Sequence, residues 1–183
     1  ADWAASVFER YSDRSGILLA HAYLGASSQP DGRSSTYTGD GGILSERVVD
    51  VSPNVFLVLS GHVHGVGTNV NADAGVSVDR RHGVVEILAD YQEYRVPAAE
   101  GWPDRVLPGG GVDLDGDGEP DYGDSDGIIL GASFLRLLQI DTESSTMSVD
   151  TYSPYLDNFG ATEYDGLNRY NGAAVSYTHL RAH

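Results

Sequence analysis

Val55-Phe-Leu-Val-Leu-Ser-Gly-His-Val-His-Gly65 is the stretch whose reading decides the fold. Its five apolar residues, Val55 to Leu59, are β-branched, aliphatic or aromatic and are bounded by Pro53 and Gly61, which predicts a buried strand. Ser60 and Gly61 end that strand, so His62 and His64 fall where it gives way to a loop. Sites in parallel sheets collect at the carboxyl ends of strands. Neutral imidazole is the commonest side-chain metal ligand, and Gly61 and Gly65 allow the backbone to crowd a cation. The pair therefore reads as metal ligands; the rival reading of a His-x-His is a surface turn.

Working outward, Gly16-Ile-Leu-Leu-Ala-His21 repeats the grammar, an apolar strand ending on a histidine. Residues 2–12 predict an amphipathic helix with Trp3, Val7, Phe8 and Tyr11 on one face. Residues 25–42, rich in Gly, Ser, Asp and Thr, predict an excursion loop, and Ile43 to Val51 a short helix. The pattern turns to β after Gly67. Val84 to Tyr94, Phe134 to Ile140 and Thr146 to Tyr152 predict strands, the last two joined as a hairpin through the polar Asp141 to Ser145. A strand–helix–strand first half followed by an antiparallel second half predicts a layered α/β sandwich rather than a doubly wound sheet. If the first two strands are parallel neighbours, His21, His62 and His64 converge at one sheet edge, a donor set suited to Zn, Mn or Fe. His82, in Arg-Arg-His-Gly, reads as a surface residue.

At 183 residues the chain fits one domain, and 40% hydrophobic with 21% charged residues makes it globular. A net charge of −16 argues against nucleic acid or an anionic membrane as the main partner, since there is no basic surface to release counterions. The absence of cysteine excludes thiol nucleophiles, Cys-ligated zinc and disulfides. No apolar run approaches the ~20 residues of a membrane span. The chain opens at Ala1 inside a helical pattern, so it is expected to be part of a longer protein whose targeting signal lies elsewhere. Its last nine residues, Val175-Ser-Tyr-Thr-His-Leu-Arg-Ala-His183, resemble read-through of a sequencing adapter, which would restrict the domain to residues 1–174. The rival is a natural tail with His179 and His183 binding metal.

Residues 96–127, with their prolines, glycines and acids, read as an insertion between strands. Within it lies Asp113-Leu-Asp-Gly-Asp-Gly-Glu-Pro-Asp-Tyr-Gly-Asp124. Counted from Asp113, oxygen ligands Asp113, Asp115, Asp117, Glu119, Asp121 and Asp124 fall at positions 1, 3, 5, 7, 9 and 12, with Gly118 at 6. That is the register of an EF-hand Ca2+ loop, without flanking helices and with Asp in place of the final Glu. The rival is a solvated acidic loop. Calcium here would be structural, and extracellular calcium levels would suit it, which favours an exported or cell-surface parent. Gly109-Gly-Gly111 lacks the Lys-Ser/Thr of a phosphate loop, and Ser60 and Ser133 lack a nucleophile-elbow context.

Gly61-His-Val-His64, with the strand before it, resembles the final Gly-His-x-His motif of the calcineurin-like metallophosphoesterases. Leu18-Leu-Ala-His21-Ala-Tyr-Leu24 resembles the isolated-histidine motif that precedes it. The segments Ile87 to Gln92, Phe134 to Leu138 and Thr151 to Pro154 are similar to the region after the Gly-His-x-His motif in bacterial members, so the likeness runs over residues 1 to about 160 outside the insertion. The resemblance implies an α/β/β/α sandwich with a two-metal site that hydrolyses a phosphate ester. His21 and His62 correspond to ligands of one cation and His64 to a ligand of the other. The family's Asp-x-His, Gly-Asp-x-x-Asp and Gly-Asn-His motifs, which supply the remaining ligands and the leaving-group histidine, do not occur in this chain. The resemblance therefore implies the carboxyl-terminal half of such a domain, inactive by itself. Two rivals stand beside it. One is a non-enzymatic, calcium-dependent, extracellular β-rich binding module; the other is a zinc hydrolase of another bond built on His21, His62 and His64.

Overall fold

The run Val55–Ser60 is a strand, and it lies inside a sheet. The computed structural model describes residues 1–29, 32–71, 83–130, 133–144 and 146–159. Gly16–Ala20 (β1), Val55–Ser60 (β2), Gly65–Asn71 (β3) and Val84–Asp90 (β4) form a four-stranded sheet in the order β1-β2-β4-β3. β1, β2 and β4 are mutually parallel, while β3 returns antiparallel to β4. The chain is mixed α/β, with sheets dominating and few helices. Among the described residues no helix is long and apolar enough to cross a membrane.

Both faces of the sheet are covered, which is why β2 and β4 read as near-continuous apolar runs. On one face Val58, Val84 and Leu88 pack with Tyr23, Leu24 and Val49, and Phe8 and Leu44 close over them. Phe8 comes from the helix Asp2–Arg10 (α1), and Leu44 from Gly39–Leu44 (α2), which runs into a π-helical turn over Ser45–Val49. On the other face Leu57, Val85 and Ile87 meet Met147, Val149 and Leu138. These belong to Leu135–Asp141 (β7) and Thr146–Ser153 (β8), an antiparallel hairpin joined at its edge by Asn158–Phe159 (β9). The layers run helix, sheet, sheet. A second helical layer is not seen among the described residues.

The expected insertion at 96–127 is tied at its neck. Arg95–Pro97 (β5) pairs antiparallel with Gly127–Ile129 (β6), so the chain leaves and returns at one place. Between them lie the short helix Ala98–Gly101 (α3) and a 3-10 turn at Pro103–Arg105. Val112 and Ile128 share a buried cluster with Val66, Tyr91 and Tyr94, which seats the insertion on the main sheet.

Several expectations are corrected. Trp3 is 79% exposed, so α1 does not bury the face that includes it; Val7 and Phe8 turn inward instead. The helix expected from Ile43 starts at Gly39, inside the expected loop, because the Thr38 hydroxyl caps it by accepting from the Gly41 N–H at 3.0 Å. The strand expected to run to Tyr94 stops at Asp90, whose Oδ1 accepts from the Gln92 N–H at 3.0 Å and folds the chain into a turn. His82 and residues 175–183, with His179 and His183, lie outside the described residues.

Candidate metal centre

The parallel pairing of β1 with β2 matches Ala20 to Ser60, so His21 and the Gly61-His62 step leave the sheet side by side. The Gly61 N–H donates to the His21 carbonyl at 3.2 Å and continues the ladder one residue past the strand ends. The His21 and His62 ring centroids stand 4.6 Å apart, with the ring planes inclined at 54°. Both residues are exposed. Two imidazoles at this spacing can each turn a nitrogen toward one cation, so the donor set fits a transition metal.

His62 reaches that position in a costly conformation. Its φ is +67°, in the left-handed region that non-glycine residues avoid. The Val63 N–H donates to the Gly61 carbonyl at 2.8 Å, so His62 is the middle residue of a γ-turn. Sparsely populated backbone of this kind costs on the order of 1–3 kcal/mol and persists where surrounding structure imposes it. Here the imposing structure is β2 on one side and β3, which begins at Gly65, on the other.

His64 faces elsewhere. Its Nδ1 is 2.9 Å from Oε1 of Glu93. Among the described residues, the group of three or more metal-type side chains whose ligand atoms lie within 4.8 Å of one another is Asp113, Asp115 and Asp117, and His64 does not join His21 and His62 in such a group. The three histidines are thus a pair and a neighbour. The rival three-histidine zinc site, which needs all three on one ion, loses support.

Two carboxylates beside the motif escaped the sequence reading, Glu93 and Asp90. A Cβ built on Gly61 would meet Asp90 Oδ2 at 3.9 Å, which places that carboxyl next to the turn. The available signal was the end of the strand Val84–Asp90, parallel to β2, but only its register shows which edge it reaches.

The acidic loop is organised around Asp113. Its Oδ1 accepts from the Gly116 N–H at 2.6 Å and its Oδ2 from the Gly118 N–H at 2.9 Å. These backbone donors, Gly118 first and then Gly116, hold its carboxyl below the usual carboxylate range. Gly118 has φ +92°, a turn that position 6 of such a loop requires of glycine. Asp115 and Asp117 each accept from the N–H two residues on, at 3.1 and 2.8 Å. The remaining expected ligands do not gather with the triad. Asp121 accepts from the Leu114 N–H at 2.8 Å, Asp124 from the Gly111 N–H at 2.7 Å, and Glu119 is exposed.

No family model matches the chain, and no solved structure matches it. Over 157 residues, 84% of the chain, it is 30% identical to YvnB, an uncharacterized protein of Bacillus subtilis strain 168. The chain spans 9% of the length of that protein.

Proposed function

We propose that this chain supplies part of a binuclear metal centre that hydrolyses a phosphate ester, in a layered sandwich of the calcineurin-like metallophosphoesterase type. One observation carries the reading. Two adjacent parallel strands are each followed by a histidine, His21 directly after β1 and His62 one glycine past β2, and the two rings stand 4.6 Å apart, one of them on strained backbone. His21 and His62 would hold one cation and His64 a second, with zinc, manganese or iron as candidates. When bound, two divalent cations supply Lewis acidity to a phosphoryl oxygen and a hydroxide nucleophile near neutral pH. The chain's own part is to fix the imidazoles: the β1–β2 register sets His21 against His62, and the γ-turn holds the His62 backbone. The other ligands the resemblance calls for are not in this sequence, so catalysis is assigned to a longer protein that carries them.

The test is hydrolysis of p-nitrophenyl phosphate with added Mn2+ or Zn2+. The 183-residue chain is expected to show none above the metal blank. A longer protein carrying Asp-x-His and Gly-Asn-His motifs upstream is expected to be active, and His62→Ala is expected to lower its kcat/KM about 100-fold or more. Turnover by the short chain, or full activity of the His62→Ala protein, would sink the reading.

A second role rests on the Asp113 turn. We assign Ca2+ to it as a structural ion, with the Asp113, Asp115 and Asp117 carboxylates as the core of the site. With an affinity in the range of extracellular modules, 10 mM Ca2+ is expected to raise the midpoint of thermal unfolding by about 5 °C. Asp113→Asn is expected to abolish that shift, and Mg2+ to reproduce little of it. An equal response to calcium in the variant would return the loop to a solvated acidic turn. That outcome would also remove the main support for a calcium-dependent binding module.

A further inference from the structure

We infer that Glu93 is a positioning residue for His64: its carboxylate accepts the Nδ1–H and leaves Nε2 as the nitrogen offered to a cation. This rests on the metal reading above and names a residue that the reading did not include. His64 Nδ1 and Glu93 Oε1 are 2.9 Å apart, and the two side chains are only 32% and 38% exposed.

Both ends of the contact are fixed by the fold. His64 immediately precedes β3, whose first pair is Gly65 with Asp90, so the sheet register sets it beside the end of β4. Glu93 sits in the turn that begins there, closed by the Tyr94 N–H donating to the Tyr91 carbonyl at 3.0 Å. Tyr91 and Tyr94 anchor that turn. Both are buried, and both rings pack on Phe134, at centroid distances of 4.8 and 4.7 Å. The Tyr91 hydroxyl accepts from Arg136 Nε at 3.0 Å, which ties the turn to β7 as well. The backbone that carries the Glu93 carboxylate is thereby fixed beside His64.

The chemistry follows from the two ring nitrogens. An imidazole that donates Nδ1–H to a carboxylate must carry its lone pair on Nε2, and the carboxylate makes that lone pair a better donor to a metal. His64 is therefore set in tautomer and orientation before any cation arrives. An imidazolium–carboxylate ion pair would instead keep both ring nitrogens protonated and leave Nε2 no lone pair for a cation.

The experiment is long-range proton–nitrogen NMR on the 15N-histidine-labelled chain at about pH 8, where imidazole is neutral, followed by titration with Co2+. Wild-type His64 is expected as the Nδ1–H tautomer. Glu93→Ala should move it toward Nε2–H with the β-sheet amide signals unchanged, and Glu93→Gln, which keeps an acceptor oxygen, should restore Nδ1–H. Co2+ should broaden His64 at a concentration about tenfold higher in Glu93→Ala than in wild type, with Glu93→Gln between. An Nε2–H tautomer in wild type, or a tautomer or a Co2+ response at His64 indifferent to Glu93→Ala, overturns the proposal even when His21 and His62 bind the ion. If Co2+ also perturbs none of the three histidines in the longer protein that carries the other ligands, the metal reading itself fails and the proposal falls with it.

Discussion

Replacing Glu86 with alanine is expected to cost the fold on the order of 4 kcal/mol, enough to leave much of the chain unfolded at 37 °C. Glu86 is fully buried in β4, between Val84 and Leu88 on the helix-covered face. Tyr23 donates to its Oε1 at 2.7 Å, Tyr37 to both oxygens at 3.1 and 3.0 Å, and Asn69 to Oε2 at 3.3 Å. The deficit falls unevenly on these donors. Tyr37 is 38% exposed and can turn to water, and Asn69 keeps the Ser35 carbonyl at 3.0 Å, but Tyr23 is fully buried and loses its closest acceptor. Urea denaturation of Glu86→Ala measures the loss. Combining Glu86→Leu with Tyr23→Phe and Tyr37→Phe should recover most of it, because removing both sides of a buried hydrogen bond is far cheaper than removing one. A loss below ~1 kcal/mol in the single variant would mean that water already reaches the cluster.

The same cluster sets a direction for alkaline pH. Burial first, then the Glu86 charge, pushes the Tyr23 phenol well above its usual 10.0. A raised value means that the folded chain keeps this proton where the unfolded chain releases it. Its contribution is complete below pH 10 and declines as pH rises beyond that point.

Alanine at Gly41 is expected to destabilise by about 3 kcal/mol, while the same change one residue later stabilises. A Cβ on Gly41 would lie 1.9 Å from the Tyr23 carbonyl oxygen, 2.7 Å from its carbon and 2.9 Å from its Cα. All three are backbone atoms just past β1, and they cannot rotate away as a side chain would. The helix α2 would have to retreat, opening the cluster that Tyr23, Leu24 and Leu44 close. A Cβ on Gly42 meets nothing within 4 Å, so Gly42→Ala should gain roughly 0.5–1 kcal/mol from reduced backbone freedom in the unfolded chain. Thermal melts of the two variants give the answer through their opposite signs; shifts of the same sign would contradict this packing.

The parts legible from sequence were those encoded in contiguous residues. Val55–Ser60 and Gly16–Ala20 announced themselves as apolar runs, and their terminal histidines followed from where the runs stop. The hairpin of β7 and β8 was legible from the polar step between two strand patterns. What failed to show were contacts made by register and long-range closure. Val84-Val-Glu-Ile-Leu carries a polar residue that suggests an open face, yet its partners Tyr37 and Tyr23 lie 49 and 63 residues away. Glu93 meets His64 only once β3 pairs with β4. The glycines around His62 suggested where the chain bends, and Gly65 does take a positive φ, but so does the histidine itself. The alternation of acids from Asp113 to Asp124 was readable along the chain. Which backbone N–H each carboxyl meets, such as Asp121 with Leu114 and Asp124 with Gly111, no spacing reveals.

The three-residue ladder of β5 and β6 has a consequence for how this molecule can vary over time. Because Pro97 sits opposite Gly127, everything between them is a closed excursion with its entry and exit on one spot. Residues can be gained or lost inside it without shifting the parallel strands that carry His21 and His62, since lengthening an already closed loop costs little. The excursion is constrained where Ala98 and Val112 join the buried cluster of Tyr91 and Tyr94, and where the Gly101 carbonyl accepts from the Tyr155 hydroxyl at 2.6 Å. Changes within the acidic loop are thereby uncoupled from the β1–β2 register that sets His21 beside His62.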